Sequence, residues 1–248
     1  MAGLVATWPP APANVVLTAA DVHVWCVFLN RTAAELDALL PTLSSEEQTR
    51  ANRFYFIRDK NRFIASHGAL RAILGRYLDA PPAQLAFTQG QQGKPELAPA
   101  FAASRLQFNL SHSGDIALCA VAYESVLGVD VEQIRTVVDA TQIARRFFSA
   151  RENEAFAAVP DVEKPQAFFN CWTRKEAYIK AIGEGLSCPL DAFDVSLAPG
   201  EPARILQIRG SEAAAGRWSL VALSPAADYV GALVVEGGDS RLSCWQWW

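Results

Sequence analysis

Gly128-Val129-Asp130-Val131-Glu132 alternates valine with carboxylate, the period-two pattern of a β-strand that buries one face. Val129 and Val131 point one way, Asp130 and Glu132 the other. Two carboxylates on one face repel, so one titrates upward unless a cation sits between them. A hard cation with oxygen ligands, such as Mg2+, meets that need. A solvent-facing strand edge meets it too, and the pattern alone leaves both readings open.

Outward from this strand the chain divides in two. Residues 126–132 form the last of three strand candidates, after 106–110 and 116–122. Ahead of them come a strand-like run at 22–29 and a helix opened by a capping box, Ser44 or Ser45 with Glu47 or Gln48. A second helix over 60–78 carries Phe63, Ile64, Leu70, Ile73, Leu74 and Tyr77 at helical spacing and stops before Pro81-Pro82. Residues 90–103 are rich in Gln, Gly, Pro and Ala and read as a loop. After residue 132 the pattern restarts. A helix runs from 139 to 148, and Ser149 with Glu152 caps a short helix to 158. A long helix over 165–182 ends at Gly183. Strands follow at 193–197, 203–208, 218–223 and 229–235. The expected fold is α+β in two similar halves, 1–124 and 125–248, with the seam at Glu124–Ser125.

The 248 residues, 51% apolar and 19% charged, describe a globular chain with room for a sizeable core. No apolar run is long enough to cross a membrane. Residues 1–12 carry no Lys or Arg and hold Pro9, Pro10 and Pro12, unlike a signal peptide. Five cysteines without a Cys-x-x-Cys pair suggest a reducing, cytoplasmic setting. The net charge of −4 argues against a nucleic-acid binder. Yet from Arg50 to Arg76 seven basic residues face Asp59 alone, a local +6 against −10 for the remainder. That segment suits a small polyanion, or is a solvated helical face.

Three further stretches carry chemistry. Trp172, Glu176 and Lys180 sit at i, i+4 and i+8 of the long helix, on one face. Glu176 and Lys180 read either as a surface pair or as a metal ligand or base beside a phosphate-binding ammonium. Phe108-Asn109-Leu110-Ser111-His112-Ser113-Gly114 reads as a strand ending in a turn, either merely capped or anion-binding. A Ser-His dyad is awkward for neighbours in sequence. Gly93-Lys94-Pro95 brackets a lysine in a turn. His23 and His67 read as structural, and the tail Cys244-Trp245-Gln246-Trp247-Trp248 as a cover for an apolar patch.

Taken in order, these stretches resemble the Sfp-type 4′-phosphopantetheinyl transferases. The resemblance rests on Gly93-Lys94-Pro95, Phe108-Asn109-Leu110-Ser111-His112-Ser113, Gly128-Val129-Asp130-Val131-Glu132, Arg146-Phe147-Phe148-Ser149 with Glu152, and Trp172-x-x-Lys175-Glu176-Ala177-x-x-Lys180. Gly185-Leu186 and Pro189-Leu190 extend it. It implies a pseudo-dimer of two α+β halves with the active site between them, acting as a monomer. The implied reaction moves the 4′-phosphopantetheine arm of coenzyme A to a serine of an apo acyl- or peptidyl-carrier protein, of the kind that serves polyketide and nonribosomal peptide synthesis. The second product is 3′,5′-ADP. By resemblance Asp130, Glu132 and Glu176 bind Mg2+ or Mn2+, and Glu176 is also the base. Lys180 contacts the pyrophosphate. Lys94, Ser111 and His112 lie around the adenine and 3′-phosphate, with Arg62 and Arg50 as phosphate-binding positions. One departure is Glu47, where the family often has a basic residue; Arg53 or Arg58 is the candidate substitute. Glu152 matches a recurrent acidic position without an assigned role. Two other classes use the same residues: a metal-dependent coenzyme A pyrophosphate hydrolase, and a non-catalytic module that binds coenzyme A or a carrier protein.

Overall fold

The apolar residues of the strands fall on two alternating faces, and the fold buries both. The computed structural model describes residues 4–90, 93–238 and 240–247. In chain order the elements are β1 (Leu4–Val5), β2 (Asp21–Phe28), α1 (Ala33–Leu39), α2 (Ser45–Ala51), α3 (Ile57–Leu78), β3 (Phe87–Gln89), β4 (Pro95–Leu97), β5 (Leu106–Ser113), β6 (Ile116–Tyr123) and β7 (Leu127–Gln133). There follow α4 (Ala140–Phe147), α5 (Ala150–Ala158), α6 (Lys164–Ile182), β8 (Phe193–Val195), β9 (Ile205–Ile208), α7 (Glu212–Ala215), β10 (Trp218–Leu223), β11 (Tyr229–Glu236) and β12 (Arg241–Trp247). The fold is α+β. Among the described residues no helix is long and apolar enough to cross a membrane.

Two four-stranded sheets lie at the centre, ordered β12-β2-β6-β5 and β1-β10-β11-β7. One face of β2 and β6 (Val22, Val24, Cys26, Leu118, Ala120) packs on Leu127, Val129, Val131, Leu233 and Val235 of the other sheet. Each Val or Leu side chain among them, fully buried, contributes about 1.5–3 kcal/mol, so the two sheets are held as one body. The opposite face of the first sheet, with Trp25, Val27, Cys119 and Val121, packs under α3 through Ile64, Leu70, Ile73 and Leu74. Val230, Ala232 and Val234 of the second sheet pack under α6. Strands buried on both faces explain the unbroken apolar run of β6.

The termini cross over. β1 pairs in parallel with β10, and β12 pairs in parallel with β2, so each end of the chain completes the sheet of the opposite half. β12 is the Trp-rich tail, whose last residue, Trp248, lies outside the described residues. Trp245 lies edge-on to His23 and against Trp25. His23 is buried, with Nδ1 2.9 Å from Tyr77 Oη, and desolvation lowers its pKa to about 4.

Two local expectations change. β5 runs on through Ser111, His112 and Ser113, because β6 continues the ladder to the Ser113–Ile116 pair. Gly114 and Asp115 alone make the turn, with Gly114 at φ +54 as so tight a connection demands. Residues 90–103, apart from Gln91 and Gln92, which lie outside the described residues, hold β4, paired with β3, and a 3-10 turn at Pro99–Ser104. Strands of three residues are too short to show a period.

Candidate functional site

Strand alternation aims β7. Its valines face the other sheet, so Gly128, Asp130 and Glu132 face α6. Gly128 lets the helix come close: a Cβ there would run into the Ala177 carbonyl oxygen and the Ala181 amide nitrogen. Glu176 and Lys180, each one residue before those contact points and one turn apart, lie together on the side of α6 toward Asp130. Gly183, at φ +71, ends the helix. Lys94 Nζ donates to the Lys180 carbonyl at 2.9 Å and to the Leu127 carbonyl at 3.3 Å, satisfying an orphan acceptor in the last turn of α6.

At the centre, Lys180 Nζ lies 2.6 Å from Asp130 Oδ1, and Ser111 Oγ donates to the same oxygen at 2.7 Å. Asp130 Oδ2 is buried without a hydrogen-bond partner. Burial raises the pKa of Glu132, and the Asp130 charge adds to the rise. Burial likewise raises that of Glu176, followed by the charge of Asp130. Lys94, Asn109, Glu176, Lys180 and Gly183 line a cavity of about 290 Å³.

β5 and β7 are edge strands of different sheets, joined here by side chains. Asn109 Oδ1 accepts from the Val129 amide at 2.8 Å, Ser111 bonds Asp130, and Ser113 Oγ donates to Glu132 Oε2 at 2.6 Å. Ser113 also accepts from the Gln133 amide. The i, i+2, i+4 spacing of Asn109, Ser111 and Ser113 is visible in the sequence. What it stitches together is not.

His112 points to the other face of β5. Desolvation, then the charges of His67, Lys180, Arg50 and Arg62, holds its pKa below the usual value. Arg62 grips Asp115 Oδ1 through Nε at 2.9 Å and Nη2 at 2.7 Å, and the Arg50 guanidinium lies over Phe63. The candidate residues thus form two clusters, one on each face of β5. Asp130, Glu132, Glu176, Lys180, Ser111 and Lys94 make one; His112, Arg50 and Arg62 make the other.

Four residues of the motifs and their surroundings turn to other partners. Glu47 caps α2 and bonds His67 at 2.9 Å and Arg71 at 2.7 Å. Desolvation opposes its charge, but those partners prevail and bring its pKa down to about 2. Glu152 and Lys175 form a buried pair at 2.8 Å, each 1% exposed, and Glu152 Oε1 accepts from the Val195 amide. Trp172 stacks on Phe168 and meets Phe147 edge-on.

Among the described residues no three His, Cys, Asp or Glu side chains form a ready-made metal cage. The donor set nevertheless fits a hard cation. A buried carboxylate oxygen lacks a partner, and two neighbouring carboxylates are destabilised as anions by burial and by like charge.

A profile described as the 4′-phosphopantetheinyl transferase superfamily matches residues 126–234, and one described as 4′-phosphopantetheinyl transferase, N-terminal, matches residues 30–124. The chain is 42% identical to the 4′-phosphopantetheinyl transferase HetI of Nostoc sp. strain PCC 7120, over 97% of this chain and 98% of that protein. It is 30% identical to the 4′-phosphopantetheinyl transferase Sfp of Bacillus subtilis strain 168, over 71% of this chain and 77% of that one. With the human L-aminoadipate-semialdehyde dehydrogenase-phosphopantetheinyl transferase it shares 28% over 64% of this chain and 54% of that protein. The chain belongs to the 4′-phosphopantetheinyl transferase family.

Proposed function

We propose that the Asp130 cluster performs the family's transfer, moving the 4′-phosphopantetheine arm of coenzyme A to a serine of an apo acyl- or peptidyl-carrier protein and releasing 3′,5′-ADP. The observation that carries this reading is Asp130 itself. One carboxylate oxygen is shared by Lys180 and Ser111, and the other is buried and free beside Glu132 and Glu176.

Asp130, Glu132 and Glu176 would hold Mg2+ or Mn2+, which when bound neutralises charge on the coenzyme A pyrophosphate. Glu176, its pKa raised by burial and like charge, takes the proton of the carrier serine, directly or through a water. The serine oxygen then bonds to the phosphorus that carries the pantetheine arm, and the bond from that phosphorus to the bridging oxygen of 3′,5′-ADP breaks. Lys180 donates to the departing phosphate. Lys94 lines the cavity that takes the nucleotide end. Ser111 holds Asp130, while His112, Arg62 and Arg50 meet the 3′-phosphate on the far face of β5. Residues 1–124 and 125–248 act as the two halves of one monomeric, cytoplasmic enzyme.

The test mixes the protein with coenzyme A, Mg2+ and a panel of apo carrier proteins, and reads intact mass. A gain of one phosphopantetheine on a carrier serine is expected. No gain on any acyl- or peptidyl-carrier overturns the reading, and 3′,5′-ADP released without an acceptor identifies a hydrolase instead.

A further inference from the structure

Arg174 follows Thr173 on α6 and lies about 200° around the helix from Glu176, away from the site described above. Its side chain belongs to a residue only 4% exposed, and among the described residues it forms no ion pair. A buried guanidinium without an ion-pair partner is costly, because the charge gives up water and no carboxylate comes into contact in return. Nη1 donates to the Ser196 carbonyl at 2.6 Å and to Ser196 Oγ at 3.0 Å. Among the described residues Nε and Nη2 have no hydrogen-bond partner. Desolvation brings the pKa down to about 10, far above neutrality, so the charge persists.

Arg174 lines a cavity of about 350 Å³ between α6 and the β10–β11 hairpin. Gln166, Asn170 and Ser224 supply polar edges, and Ile134, Ala222 and Val230 an apolar wall. Glu201 also lines it, but its carboxylate accepts from the Ala198 amide and acts on Arg174 only through its field.

We infer that this cavity is a second ligand site, in which Arg174 binds the carboxylate of a small organic acid whose hydrocarbon body rests on Ile134, Ala222 and Val230. A planar guanidinium with two free nitrogens matches a carboxylate in fork geometry. The mixed lining has the character of a small-molecule pocket, apolar with a few placed polar groups. The site is independent of the transfer reaction proposed above.

The experiment titrates the whole protein with acetate, butanoate and hexanoate, and with hexanol as the uncharged control, at constant ionic strength. Binding is read by calorimetry and by the thermal unfolding midpoint. Hexanoate is expected to bind more tightly than acetate, and hexanol not at all. Arg174→Met is expected to weaken hexanoate at least tenfold. Ala203→Phe, which narrows the half-exposed mouth without touching the buried charge, is expected to do the same and covers the case of Arg174→Met failing to fold. Lys180→Met is expected to leave hexanoate binding unchanged, which separates this site from the phosphate site. Failure of all three acids to bind wild-type protein overturns the inference. So does unchanged binding in either cavity variant, or loss of binding in Lys180→Met.

Discussion

Lys180 Nζ sits 2.6 Å from Asp130 Oδ1, on a carboxylate that is 7% exposed and comes from the other side of the helix–sheet interface. The ammonium occupies one edge of that carboxylate and leaves Oδ2 buried and free. One face of Asp130 is thus held by the protein and the other is left for a ligand. Replacing Lys180 by Met removes both the positioning of Asp130 and the donor to the leaving phosphate. The expected result is a fall in kcat of about 10²–10³, measured as 3′,5′-ADP release at saturating carrier. A variant within a factor of two of wild type would falsify the leaving-group role.

The raised pKa of Glu132 makes a pH-dependent prediction for the metal-free protein. A carboxyl whose folded pKa lies above its unfolded value contributes stability below the unfolded pKa and loses it as pH rises through the folded one. Neutral Glu132→Gln escapes that loss. In a chelator, the variant is therefore expected to unfold at a higher temperature than wild type at about pH 8. The gap should close at about pH 4, below the ordinary glutamate value. Equal midpoints at both pH values would show that Glu132 bears no electrostatic strain.

Glu152 and Lys175 tie α5 to α6 and, through the Val195 amide and the Phe193 carbonyl, to β8. Glu152→Ala leaves a buried ammonium without its partner. The expected cost is about 3–5 kcal/mol in urea unfolding. The paired change Glu152→Leu with Lys175→Met should recover most of it, since neither charge then remains. A loss below about 1 kcal/mol for the single change would mean that water reaches Lys175.

Arg62 holds Asp115 with two donors, and a phosphate can take over the same fork. Arg62→Ala is expected to weaken coenzyme A by about tenfold or more, the value of a charged hydrogen bond, and 3′-dephospho-coenzyme A much less. Calorimetry on both ligands decides the matter, and equal weakening removes Arg62 from the 3′-phosphate site.

Much of the architecture follows from local pattern. The valine–carboxylate alternation of β7 is enough to predict that Asp130 and Glu132 share a face. The capping boxes at Ser44 and Ser149 start α2 and α5 as expected, with Glu47 and Glu152 at N3. Apolar spacing locates α3 and α6, and Gly183 ends α6. The family motifs are likewise contiguous stretches whose residue types survive reading in one dimension.

Other decisions belong to the packed chain, because they depend on what lies across from a residue rather than beside it. Lys175 and Lys180 stand in one helix and in one motif. Yet Lys175 turns into the core toward Glu152, while Lys180 reaches Asp130. Nothing in their spacing says which face meets which neighbour. The same holds for Arg71, one of the seven basic residues of its segment, which is buried against Glu47 instead of facing an anion. β1 and β12 each complete the sheet of the opposite half, a pairing between residues some two hundred positions apart that no local period encodes. Asn109, Ser111 and Ser113 acquire their common role only when the edges of two sheets come together. Residue chemistry and period suffice to name the groups that the site needs. Burial and long-range pairing choose which of them reach it, since desolvation and hydrogen-bond satisfaction are settled only in the assembled fold.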